Sequence, residues 1–238
     1  MATTNNGSTV VDLEQAHFAS IIAGVSVRRG LPPRAASIAL ATAYQETGIR
    51  NLDYGDRDSV GLFQQRPSQG WGTRQQLIDP HYATGKFYDA LVKIKNWESA
   101  DINDVAQKVQ FSAHPEAYRD HEGDARLLAS ALTGQAPAGF SCLDRTGTPG
   151  DAKELRSSLQ RTFGKIDDSA DGSVITVRAD SARRAWAYAH YAVANANLYG
   201  VTTVKIRNKS WQTQNFNLPD WQEASPRLKS ERIEITVR

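Results

Sequence analysis

One cysteine, Cys142, occurs among 238 residues, which in a cytosolic protein is an unremarkable thiol and in an exported one is half of a pair. No run approaches the roughly 18 uninterrupted apolar residues of a membrane-spanning helix, and the polar start MATTNNGST lacks the apolar core of a signal peptide. The expectation is a soluble chain. Charge of either sign is scarce in excess: 28 Lys and Arg face 26 Asp and Glu, for a net charge of +2 with no basic stripe. Nucleic acid is therefore excluded as the main partner. There is no internal repeat and no low-complexity tract.

What is present is an ordinary globular composition, with 40% hydrophobic and 23% charged residues, long enough for two unequal domains. Asp12 with Gln15 three residues later is a capping box opening a helix that ends near Gly30. Leu31-Pro32-Pro33 breaks the backbone and starts a second, alanine-rich helix closed by Gly48. After a loop from 49 to 73, with short strands around Val60 to Gln65, Asp79-Pro80 starts a third helix carrying Tyr82, Phe87, Leu91 and Ile94 to about Asn96. Asn103 to Phe111 is a fourth and Pro115 to Gly134 a fifth. Residues 10–136 read as an α-rich domain. Residues 137–150, aperiodic and rich in Gly, Pro, Ala and Thr, read as a linker or surface loop.

Residues 151–238 change pattern. A helix from Asp151 to Phe163, a polar connector to Gly172, a strand at Val174 to Arg178, a helix from Ser181 to Tyr199, and strands at Val201 to Arg207 and Ile233 to Val237 make a small α+β domain. The whole chain reads as α+β, an α-rich domain followed by a helix-strand-helix-strand-strand domain. Trp186, Tyr188, Tyr191, Trp211 and Trp221 offer sugar stacking or core packing, and the alanine-rich helix around the first three favours packing.

The chemistry concentrates between Ala41 and Gly72. Cleaving a glycosidic bond needs a carboxylic acid that can protonate the departing oxygen, and burial against apolar groups is the usual means of keeping it protonated. Glu46, ending a helix beside Tyr44 and Ile49, is placed for that role or is a solvated last-turn residue. Asp53, Asp56 and Asp58 supply a second carboxylate or simply form turns. No register here matches a calcium loop. His114 and His121, seven apart with Pro115 between them, are too far apart in register for one ion, so no metal and no cofactor is expected.

The segments QETG and GDRDSVGLFQQ resemble the lysozyme-like superfamily, which includes soluble lytic transglycosylases and goose-type lysozymes. In that pattern a Glu followed by a small hydroxyl residue ends a helix and a Gly-Leu-Met-Gln segment follows a loop. Glu46-Thr47 and Gly61-Leu62-Phe63-Gln64 match, with Phe63 where Met is typical, and Gly55-Asp56-Arg57 is similar to the goose-type loop that positions water. The longer run GDRDSVGLFQQRPSQGWGT with DPHYATGKFYDAL resembles actinobacterial cell-surface proteins over about residues 10 to 140, and the C-terminal part resembles domains of unknown function appended to them.

The resemblance implies that Glu46 is general acid and then base on the MurNAc–GlcNAc bond of peptidoglycan, with Asp56 or Asp58 directing water. It implies Ser59, Gln64, Gln65 and Tyr118 as substrate-binding residues. Transglycosylases carry a late Tyr-Asn-Ala-Gly segment; the nearest stretch here is Phe111 to Tyr118, with Tyr118 standing in for that tyrosine. Peptidoglycan glycan strands are the implied partner, the location is extracytoplasmic at the cell surface or wall, and membrane contact is only through an N-terminal anchor ahead of this chain. Cys142 then lacks its disulfide partner. The competing expectation is a non-catalytic wall-binding or assembly protein that keeps the cleft.

Overall fold

The computed structural model describes residues 1–110, 118–229 and 231–238. The polar start, which carries no element in the sequence reading, forms an antiparallel hairpin of β1 (Ala2–Thr4) and β2 (Gly7–Thr9). Its pairing comes from far along the chain: Ala2 bridges to Phe140, and the Thr3 amide donates to the Gly139 carbonyl at 2.8 Å. Local pattern carries no trace of such a partner.

Helix α1 (Leu13–Arg28) starts as its capping box requires, with the Gln15 amide donating to Asp12 Oδ1 at 2.9 Å and the Asp12 amide to Gln15 Oε1 at 3.0 Å. It is buried on most of its surface through Ala19, Ile21, Ile22, Ala23 and Val25, so it is the central pillar of the molecule. A Cβ at Gly24 would meet Thr162 Cγ2 at 2.3 Å, so this glycine lets a later helix approach closely. Helix α2 (Pro33–Thr47) buries Ala35, Ala36, Ala39, Ala41 and Ala43, and Gly48 closes it with φ of 64°. Small side chains let it lie close to its neighbours.

After the loop come α3 (Arg74–Ile78), capped by Thr73, and α4 (Pro80–Leu91), capped by Asp79. Helix α4 stops at Leu91, short of the expected Asn96, where the chain turns instead with Val92 exposed. Helix α5 (Ile102–Gln110) and, after a 3-10 turn at Arg119–His121, helix α6 (Glu122–Leu132) complete this half, with α6 packed along α2. The start of the fifth expected helix, at Pro115, lies outside the described residues.

The second half begins with α7 (Ala152–Phe163), β3 (Asp167–Asp171) and β4 (Val174–Arg178). It continues through α8 (Ala182–Ala194), α9 (Ala196–Tyr199), β5 (Val201–Ile206), β6 (Lys209–Gln212), β7 (Gln222–Glu223) and β8 (Arg232–Val237). The strands form one antiparallel sheet in the order β3-β4-β8-β5-β6-β7. The α+β class holds, with more strands than expected. Strand β3 reads DDSAD, has no apolar alternation to reveal it, and is an exposed edge strand. The expected single helix from 181 to 199 is interrupted at Asn195, whose side chain bonds Tyr191 O at 2.8 Å and Ser20 Oγ of α1 at 3.0 Å.

Helix α8 lies between the sheet and α1, so a single hydrophobic cluster runs through both halves. Trp186, Tyr188, Tyr191, Trp211 and Trp221 are all buried in it, as packing predicts. The segment expected as a linker is built in as well. Phe140, Cys142 and Asp144 are buried, the Trp221 indole donates to Phe140 O at 2.8 Å, and the Trp211 indole to Ser141 Oγ at 3.1 Å. Its Gly and Pro content conceals that two of its side chains complete the core. Among the described residues no helix is long and apolar enough to cross a membrane.

Candidate active site

Helix α2 buries its alanine face and ends where the loop folds back over it, which leaves Glu46 half-buried in the last turn. Glu46 Oε1 accepts from the Tyr118 hydroxyl at 2.8 Å. Tyr118 is fully buried, and its own backbone amide donates to Asn103 Oδ1 of α5 at 3.2 Å. The phenol is thus fixed from a third element, and it orients the carboxyl. Among the described residues Glu46 Oε2 has no hydrogen-bond partner.

Thr47 explains why a hydroxyl residue follows the glutamate. Its Oγ1 lies 3.0 Å from both Ala43 O and Leu62 O and accepts from the Arg50 amide at 3.1 Å, so one hydroxyl joins the helix end to the Gly61–Gln65 segment. Gln110 at the end of α5 adds a second tie, donating to Phe63 O at 2.6 Å. The short strands expected here reduce to a single bridge between Val60 and Gln65. Gly61 has φ of 79°, and a Cβ there would lie 2.3 Å from Leu77 O, so only glycine fits.

The residues singled out by sequence divide into an open rim and an anchored floor. Asp53, Tyr54, Asp56 and Arg57 are exposed, with the Asp56 side chain 91% accessible and 3.8 Å from Arg57. Asp58 belongs to the floor. It accepts from Arg66 Nε at 2.8 Å, Ser68 N at 2.7 Å and Ser68 Oγ at 2.9 Å. The Arg66 guanidinium, and then the Ser68 amide, hold its carboxyl well below the usual carboxylate range.

Ser59 and Gln64 form a clamp rather than two free polar groups. The Ser59 hydroxyl donates to Gln64 Oε1 at 2.9 Å, and Gln64 Nε2 donates to Tyr54 O at 3.2 Å and Gly61 O at 3.3 Å. Gly55 makes room for this clamp, since a Cβ there would lie 1.8 Å from Gln64 Oε1. Gln65, expected at the cleft wall, is 2% exposed and donates to Ala83 O of α4 at 3.2 Å. Its amide holds the loop to the helix beneath. Of the expected set, then, the structure joins Glu46 to Tyr118 and Ser59 to Gln64, and it leaves Asp56 on the rim.

Sequence reasoning missed the supporting groups Asn103 and Gln110, because they act on partners 15 and 47 residues away in the chain. The hydroxyl at Thr47 was the one local sign of the junction. His121 stacks on Tyr44 with ring centroids 4.7 Å apart and lies 3.1 Å from Gln45 Oε1, while His114 falls outside the described residues. Among the described residues no cluster of three potential ligands could hold a metal ion. A groove of about 820 Å³ lies away from this junction, between the β1–β2 hairpin and α6. Among the described residues Asp124 is its one lining carboxylate, so volume there comes without the paired groups that proton transfer needs. No family model matches the chain, and no curated protein matches its sequence.

Proposed function

We propose that the protein cleaves peptidoglycan glycan strands at the MurNAc–GlcNAc bond, as a lytic transglycosylase or muramidase, with Glu46 as general acid and then base. The observation that carries this reading is the 2.8 Å bond from the buried Tyr118 hydroxyl to Glu46 Oε1. One carboxyl oxygen is held and the other has no partner among the described residues, an arrangement that suits a proton donor to a glycosidic oxygen. Departure of the leaving sugar takes that proton from Glu46, and the carboxylate then accepts one from the attacking hydroxyl.

The attacking group distinguishes the two products. Asp56, exposed and only loosely paired, is a rim carboxylate able to direct water, whereas Asp58 has its oxygens taken by Arg66 and Ser68. Without water, the 6-hydroxyl of MurNAc closes a 1,6-anhydro ring. Substrate of this kind places the protein outside the cytoplasmic membrane.

The test is incubation of the protein and its Glu46→Gln variant with purified peptidoglycan, followed by mass spectrometry of the soluble fraction. Release of muropeptides by the parent alone supports the reading. No release that depends on Glu46 overturns it in favour of a non-catalytic wall-binding protein. Reducing or anhydro ends among the products assign the reaction.

A further inference from the structure

His17, His81 and His190 each carry a hydrogen bond across the boundary between the helical half and the C-terminal half. His17 Nδ1 of α1 lies 2.5 Å from Asn195 Oδ1, between α8 and α9. His81 Nε2 of α4 lies 2.9 Å from Thr162 Oγ1 of α7. His190 Nδ1 of α8 lies 2.7 Å from the Ala131 carbonyl of α6. Three separate pairs of elements are therefore each joined by an imidazole.

The partners fix which nitrogen carries the proton. Asn195 Nδ2 is spent on Ser20 Oγ and Tyr191 O, so its Oδ1 accepts from His17 Nδ1–H. Thr162 Oγ1 donates to the Tyr191 hydroxyl at 3.1 Å, so it accepts from His81 Nε2–H. Ala131 O can only accept from His190. Each imidazole thus makes its bond across the boundary as a neutral ring with one proton. A second proton has poor prospects, because His81 Nδ1 and His190 Nε2 are buried without a hydrogen-bond partner.

The charges around them offer little relief. His17 and His81 share a cavity of about 260 Å³ with Glu154, Ser158, Arg161 and Tyr199. Arg161 pairs with Asp79 at 2.7 Å, and Arg28 of α1 donates to Arg161 O. Asp79 also caps α4 and lies 3.6 Å from His81 Nδ1; Glu14, which acts on His17, is bound to Arg50, and Glu154 lines the same cavity. His190 faces the rings of Trp186 and Trp221 at centroid distances of 5.2 and 5.8 Å, and no charge among the described residues acts on it. Protonating the first two would also set like charges beside each other and beside Arg161.

We propose that these three imidazoles form an acid-sensitive latch, whose protonation releases α7, α8 and the sheet behind them from α1, α4 and α6. Burial pushes His81 and His190 down to about 4, and His17 down from its ordinary value. In an opened seam the same groups titrate near 6.5. A depressed imidazole favours the closed seam fully above the open-state value, and that preference is lost as pH falls from 6.5 towards 4. The opening equilibrium then rises on the order of a hundredfold for each of His81 and His190. Helix α1 also supports the end of α2, with Gln15 Nε2 donating to Gly48 O at 2.9 Å, so the latch acts on an element that braces Glu46.

The test is hydrogen exchange by mass spectrometry on the full chain from pH 7 to 4, corrected for the intrinsic rate, with tryptophan emission recorded in parallel. Peptides of α7 and α8 should lose protection between pH 6 and 4 together with a red shift, while α2 and α5 stay protected. The His17→Gln/His81→Gln double variant should move that midpoint to more acidic pH by about a unit. Protection of the seam persisting at pH 4, simultaneous loss in all helices, or an unchanged midpoint in the double variant would overturn the latch. Should the double variant not fold, NMR titration of the imidazoles in the parent protein decides: protonation in step with seam exchange supports the latch, and protonation near 6.5 with the seam still protected overturns it.

Discussion

Glu46 and Asp58 lie on either side of one helix–loop junction, and the protein treats them in opposite ways. Asp58 accepts three hydrogen bonds, two from polar hydrogens of Ser68 and one from Arg66, all within ten residues of chain. Its charge is used up in closing the loop. Among the described residues Glu46 receives a single bond, from a tyrosine 72 residues away, and its second oxygen has no partner there. The contrast separates a carboxylate that holds structure from one held for another purpose. Asp56 is a third case, with a side chain that among the described residues has only a loose contact to Arg57.

The largest effect on the anchored side should come from Gly61→Ala, because a methyl at φ of 79° would press on Leu77 O. A loss of about 2 kcal/mol or more in denaturant unfolding is expected, and the loop should become a preferred cleavage site in limited proteolysis. On the other side, Tyr118→Phe removes the donor to Glu46 and leaves the ring. About a tenfold fall in turnover of peptidoglycan is expected, with the fold intact by circular dichroism. Equal loss of activity and of stability would mean that Tyr118 is only a core residue.

Asp58 also makes a pH prediction that sharpens the difference. Because its folded carboxyl is depressed, its contribution is present above the ordinary carboxylate value and is lost as pH falls through the lower folded one. The loop should therefore resist proteolysis at pH values where the histidine seam has already loosened, and Asp58→Asn should remove that resistance. The smallest effect is expected from Asp56→Asn, which should leave stability unchanged and shift products from reducing towards anhydro ends.

Much of the frame was legible because helix ends are written locally. Asp12 with Gln15, Pro33 with Gly48, and Asp79 with Pro80 each satisfy terminal backbone groups within a few residues, and the structure uses them so. Strand β3 was hidden because an edge strand whose one sheltered residue is the ion-paired Asp168 has no apolar alternation to show. The break at Asn195 depends on Ser20 and His17 of a helix far away in sequence. The site followed the same division. Glu46 and the glycines of its loop stand out as residue types, but Ser59 and Gln65 read as cleft residues only until their hydrogen bonds are seen to close on Gln64 and Ala83. Tyr118 could be singled out, yet its bond to Glu46 is tertiary.

The most direct test of the contrast is a parallel assay of Glu46→Gln and Asp58→Asn, reading both peptidoglycan release and the thermal midpoint. Glu46→Gln should lose about a hundredfold or more of the release with its midpoint unchanged. Asp58→Asn should lower the midpoint and keep release at temperatures where it is folded. Glu46→Gln that still releases muropeptides at the parent rate, or Asp58→Asn that is inactive while fully folded, would contradict it.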